Sequence, residues 1–315
     1  MKNSIDKNLI KKLKIKSDFK AIVDLSIRFL YHITFIYLAY YFFSIKQYTL
    51  FIVFALPHWM MYSFLGSGGL SHELFHNSVF SNNKINNILF KTFMILNWEN
   101  YNYFKLTHSI HHKITLNEKD PKSLFKNRIN VVYLIQLLTF DFKLFLNKIK
   151  HLLKNCIGII PNNKSSYLFP KNSSERKGVT KVARIIFLFH VTSMIIFLIS
   201  NMWVFIFLIN LSPFIFSFFN RFLAFSQHYG LQSDNHTDYI KNCRTVILPK
   251  FWSFFYSNMN YHIEHHMYPF IPYYNIVNIH RELVNDKNYK NISHGWIGLI
   301  RDLHKYKIFK IIYDK

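Results

Sequence analysis

Residues 185–220 read IIFLFHVTSMIIFLISNMWVFIFLINLSPFIFSFFN and contain no Asp, Glu, Lys or Arg. As one helix the run would be about 54 Å long, against a hydrocarbon core of about 30 Å. Two short-linked spans use that length; one does not. Residues 29–66 repeat the pattern with a single charge, Lys46. The expected architecture is therefore an all-α integral membrane protein with two transmembrane helical hairpins. Its four spans are drawn at 25–45, 48–66, 184–200 and 202–222. Each second helix carries a proline, Pro57 or Pro213, which membrane helices tolerate as a kink. A soluble alternative would need two consecutive helical hairpins without a polar face.

Charge orients the hairpins. The chain has 39 Lys and Arg, 16 Asp and Glu, and a formal net charge of +23. Lys2, Lys7, Lys11, Lys12, Lys14, Lys16 and Lys20 crowd the tail before the first span, and only Lys46 falls on the far side. That asymmetry puts both termini and the long connection in the cytoplasm, and the basic excess needs no nucleic acid to explain it. The late start and length of the first apolar segment argue against a cleaved signal peptide. Cys156 and Cys243 are the two cysteines. They exclude a disulfide scaffold and a thiolate-held cluster, and fit a reducing compartment.

The chain reads as a single domain, 1–315: a tail at 1–24, hairpins at about 25–66 and 184–222, and a cytoplasmic cap from 67–183 and 223–315. A cap of that size must fold, and should be helical. Within it, 85–96 is an apolar stretch. Residues 129–146 form a second, whose charge-free core is too short to span and which reads as an interfacial helix.

The 17 histidines are the unusual feature. Eight fall in three short segments: His72 and His76 in SHELFH, His108, His111 and His112 in HSIHH, and His262, His265 and His266 in HIEHH. Spacings of three and four put each set on one helical face. His228, in SQHYG, lies six residues past the fourth span as drawn, just as His72 lies six past the second. Clustered imidazoles without thiolates invite a cation. Eight or nine are too many for one tetrahedral zinc, whereas two metals with four or five each use them all. An all-nitrogen set with open positions suits iron, and two irons suit dioxygen activation. Glu73, Glu264 and Asp120 are candidates to hold a ligand imidazole from behind, and equally ordinary carboxylates. His72–His76 also matches HExxH, the zinc metalloprotease helix with glutamate as base, but that reading leaves two boxes unused. A metal-sensing membrane protein is a third class. The glycines at 66, 68 and 69 read as close packing rather than a phosphate loop.

Together the boxes resemble those of the membrane fatty acid desaturase superfamily. Asn97-Trp98, Asp120-Pro121, the run from Gln227 to Leu231 and the run from Asn258 to Pro269 strengthen the likeness. The resemblance implies a non-haem di-iron, O2-dependent oxidoreductase that introduces a double bond into a fatty acyl chain. The substrate would be an acyl-lipid, acyl-CoA or acyl-carrier. It also implies His72, His76, His108, His111, His112, His228, His262, His265 and His266 as iron ligands. Hydroxylases and ketolases of lipids or carotenoids share this pattern. No haem-binding HPGG motif is present, so electrons would come from a separate carrier, ferredoxin or cytochrome b5 with its reductase. A water-bridged asparagine occurs in the family, and Asn220 is a weak match. His32, His58, His151, His190, His236, His280, His294 and His304 receive no role.

Overall fold

The computed structural model describes residues 5–122, 130–160, 165–231 and 235–306; Lys2 of the tail, Ile129 and the cap beyond residue 306 lie outside them. The chain is mostly helical. In order it runs α1 (Lys7–Leu13), α2 (Asp18–Ser44), α3 (Tyr48–Tyr62), α4 (Leu70–Phe75), α5 (Asn83–Leu96) and α6 (Tyr101–Lys113). Then come α7 (Val131–Leu138), α8 (Phe142–Cys156), α9 (Ser174–Ile199), α10 (Phe218–Ser226) and α11 (Tyr239–Asn242). The rest is β1 (Thr245–Ile247), α12 (Lys250–Phe255), α13 (His262–Met267), α14 (Ile276–Leu283), β2 (Ile292–His294) and α15 (Gly295–Lys305). The two strands pair in parallel, Thr245 opposite Ile292.

Three helical stretches among the described residues are long and apolar enough to cross a membrane: Asp18–Ser44, Tyr48–Phe75 and Ser174–Ile199. The second is α3 carried through a 3-10 turn and the tight turn at 66–69 into α4. Helices α2 and α3 form the expected first hairpin. Ala39 and Ala55 are fully buried in it, and small residues there let the backbones approach. Phe42 and Phe54 stack at 5.1 Å. Outward, Leu30, Ile33, Tyr37, Leu188, Ile196 and Ile199 are exposed, an apolar surface suited to lipid.

The span drawn at 202–222 is not a continuous helix. After α9 the chain makes a π turn at Ile206–Asn210 and a 3-10 turn at Ser212–Phe214, and α10 starts only at Phe218. Pro213 has no N–H to continue a helical ladder. The carbonyls freed by the break are taken up by side chains: Trp59 Nε1 donates to Phe207 O at 3.0 Å, His58 Nε2 bonds Leu208 O at 2.7 Å, and Trp98 Nε1 donates to Asn210 O at 2.7 Å. Irregular backbone amid apolar helices is tolerated when its polar groups are satisfied in this way.

The stretch at 129–146 is also not one helix. It breaks between α7 and α8, and the two breaks pair with each other: Phe216 N donates to Thr139 O at 2.8 Å, and Asp141 N to Phe214 O at 2.7 Å. Asp141 then caps α8 through Leu144 N at 2.9 Å. By contrast, the stretch at 85–96 is α5, capped by Asn82.

Arg28 locks the first hairpin to the cap. It is buried on α2, pairs with Asp24 at 2.5 Å, and donates to the carbonyls of Phe255, at 2.9 Å, and Phe254. Replacing it with Met strands Asp24 and two carbonyls. R28M should lose about 3–5 kcal/mol of stability, seen as a lower unfolding temperature in detergent; an unchanged temperature would mean that the pair contributes nothing.

Candidate metal centre

Each box is carried on a short helix or helix end. Box one lies on α4, with His76 at its C-cap. Box two lies in the C-terminal half of α6, with His111 and His112 in its last turn, and Asn100 caps the start. Box three is α13 itself, and His228 follows the end of α10. The turn into α4 works only with glycine. A Cβ on Gly69 would lie 2.1 Å from Phe64 O, and one on Gly68 would lie 2.6 Å from the Asn220 amide. Asn220 Nδ2 donates to Gly68 O at 2.8 Å, tying α10 to the box-one turn.

The fold gathers all nine histidines singled out from the sequence into two groups that could each hold a metal ion. One contains His72, His76, His108, His112 and His265; the other contains His111, His228, His262 and His266. Within each group the candidate ligand atoms lie within 4.8 Å of one another. His76 Nε2 and His112 Nε2 approach His108 Nε2 at 3.1 and 3.0 Å. His262 Nε2 lies 2.9 Å from His228 Nε2 and 3.1 Å from His266 Nε2. The i,i+4 pairs stay together. His111 and His265, each three residues from the first histidine of its box, cross to the other group. Rings of the two groups pack directly, with His112 stacked on His266 at 4.2 Å.

The partners behind the rings set which nitrogen faces inward. His265 Nδ1 bonds Glu73 Oε1 at 2.9 Å and His111 Nδ1 bonds Asp120 Oδ2 at 2.9 Å. His228 Nδ1 bonds Asn242 O at 2.8 Å and His72 Nδ1 bonds Ser67 O at 3.2 Å. With Nδ1–H donated outward, the Nε2 lone pair of each ring points into the group, the tautomer a ligand imidazole requires. His72 Nε2 and His265 Nε2 are buried without a hydrogen-bond partner among the described residues. Inward-facing, unsatisfied imidazole nitrogens fit a pair of cations.

Electrostatics agree. Burial first, then neighbouring charges, holds His108, His112, His262 and His266 well below the usual histidine range. Burial and His111 push His228 down to about 3. Burial disfavours the Asp120 carboxylate, but bonding to His111 and to backbone N–H groups outweighs it and keeps Asp120 ionised. These buried rings are thus held neutral, with the ionised Asp120 behind His111.

Some of these contacts have no signal in the sequence. Lys122 Nζ sits 2.9 Å from His108 Nδ1, and burial lowers that amine to about 7. Thr115 Oγ1 reaches His266 Nδ1 at 3.4 Å. Glu264 is held by Thr245 at 2.6 Å, by His280 at 2.6 Å and by Tyr289, so His280, given no role above, braces box three. Glu73, the glutamate of the HExxH match, is buried and bonded to His265 and Ser78. It is committed as a support and is not free to act as a protease base.

Fold and site define a helical protein with apolar helices of membrane-crossing length and paired histidine groups suited to two metal ions. The family model described as fatty acid desaturase matches residues 47–296, and the chain belongs to that family. A comparison with curated proteins finds no match.

The depressed histidines predict acid sensitivity of the metal-free protein. Each has an unfolded pKa of about 6.5 and a lower folded one, so the unfolded chain takes up more protons below that pH. Stability should hold above pH ~6.5 and fall as pH drops toward the folded values. Unfolding temperatures of chelator-treated protein from pH 8 to 4 check this; a flat profile contradicts the buried neutral array.

Proposed function

We propose that the chain is a membrane-bound, O2-dependent di-iron oxidoreductase that introduces a double bond into a fatty acyl chain. His72, His76, His108, His112 and His265 would hold one iron, and His111, His228, His262 and His266 the other. The observation that carries this reading is the partition of nine imidazoles, seven of them buried and His76 and His112 partly so, into groups of five and four, in a chain of the desaturase family. Bound iron would use O2, two electrons and two protons to take two hydrogens from adjacent methylenes, leaving a double bond and two waters.

The protein's own part is support and exclusion. Glu73, Asp120, Ser67 O and Asn242 O hold ring orientation. Buried surroundings keep bulk water from the reacting centre. Hydroxylation of a lipid or carotenoid starts from the same hydrogen abstraction and is the second reading. Topologically, both termini and the boxes would lie in the cytoplasm. The broken segment after α9 would return the chain to that side as the fourth span. An external ferredoxin or cytochrome b5 system would deliver electrons, docking against the basic cytoplasmic face.

Purified protein should contain near two irons per chain, and a lipid-profiled expression host should accumulate new unsaturated or hydroxylated species. H111A and H265A should each abolish the product while the protein stays in the membrane. One zinc with no iron, or full product from either variant, would refute the assignment.

A further inference from the structure

A cavity of about 280 Å³ opens onto both histidine groups, touching rings of His72, His108, His111, His228 and His262. It is at the small end for ligand sites, which run to about 1,000 Å³ and are mostly apolar. Beside apolar groups such as Leu144, Pro213, Ala224 and Met259, its remaining wall carries charges unusual for a place that would receive the middle of a hydrocarbon chain. Lys122, Lys148 and Arg221 line it against a single carboxylate, Glu99. That carboxylate is already engaged, by Ser67 N at 2.8 Å, Ser67 Oγ at 2.9 Å and Lys148 Nζ at 3.1 Å.

Arg221 is different. Its guanidinium makes one long hydrogen bond, Nη2 to Tyr133 OH at 3.5 Å, and lies over the Phe225 ring at 5.7 Å, in the field of the Asp141 and Glu99 carboxylates, while Nε is buried with no hydrogen-bond partner among the described residues. Among the described residues Ser217 Oγ, one turn earlier in the cavity lining, is also buried without a hydrogen-bond partner, as is Ser63 Oγ; Ser217 is only 1% exposed. Methylene groups packed here would strip water from these donors and return nothing. A carboxylate or phosphate oxygen would satisfy them, and guanidinium geometry favours such a group. A second cavity, of about 460 Å³, shares Ser67, Glu99, Lys122 and Lys148 with the first and continues between apolar residues such as Trp98, Phe104 and Ile186.

Resting on the di-iron reading above, we infer that the substrate is an amphiphile with an anionic group, carboxylate or phosphate, seated against Arg221 and Ser217. Its apolar part extends into the larger cavity. Because the anion and the ring nitrogens share one small space, the oxidised carbon lies only a few bonds from the anion, not midway along a long acyl chain.

The test is binding of octanoate, octyl phosphate and 1-octanol to the purified full chain in non-ionic detergent, with iron content measured on the same samples. At least one anion should bind tenfold or more tighter than 1-octanol, and whichever anion binds better identifies the headgroup. R221Q should bring that preference to within about twofold, and R221K should restore part of it. S217A, a milder change, should weaken anion binding about threefold and serves if R221Q does not fold. Equal binding of alcohol and anions, a preference that survives R221Q, or an unchanged S217A overturns the inference. Two irons per chain without anion preference rejects this inference alone; anion preference without iron rejects the di-iron reading and leaves the anion site standing.

Discussion

Nine imidazoles in one buried cluster can coexist only if they are neutral, and each can serve only if its free nitrogen faces inward. Neutrality comes from burial, which holds His108, His112, His262 and His266 far below the usual range and His228 at about 3. Orientation comes from behind: Glu73, Asp120 and the carbonyls of Ser67 and Asn242 each take the Nδ1 proton of one ring. Much of the cap can be understood as what is needed to bring those acceptors to those rings. Glu73 belongs to box one and supports box three, so the boxes brace one another as well as contribute rings to both groups.

The apolar helices serve the same end by being interrupted where the cluster needs access. A straight helix through 202–222 would have left no irregular segment to pair with the break between α7 and α8. Instead, Phe214–Phe216 and Thr139–Asp141 exchange backbone hydrogen bonds, and Trp59, His58 and Trp98 take the carbonyls of the π turn. These contacts place α10 so that Asn220 meets the glycine turn before box one and Arg221 faces the cavity beside the rings. His190 belongs to the same support, stacking on Trp98 at 3.8 Å and bonding Asn210.

The residues that were hardest to read in advance are those whose meaning depends on a distant partner. His280 lies 14 residues beyond box three, with no spacing that links it to Glu264, yet it holds that carboxylate with Thr245 and Tyr289. Glu99, Lys148 and Arg221 lie far apart in the sequence with no motif to link them; the fold makes them cavity walls. Lys122 follows a Pro in an unremarkable turn, and only the packing of α6 brings it to His108.

Local pattern alone determined the helical class, the first hairpin, the apolar stretch that forms α5 and the eight box histidines, because three- and four-residue spacing and uncharged runs are properties of contiguous chain, whereas His228 was marked by its place beyond the fourth span and by the family resemblance. It also showed more imidazoles than one tetrahedral ion takes. Tertiary structure decided the division into five and four, with His111 and His265 crossing between groups. It alone broke the helices expected at 202–222 and 129–146, because the hydrogen bonds that make those breaks tolerable join residues more than 70 positions apart in the chain.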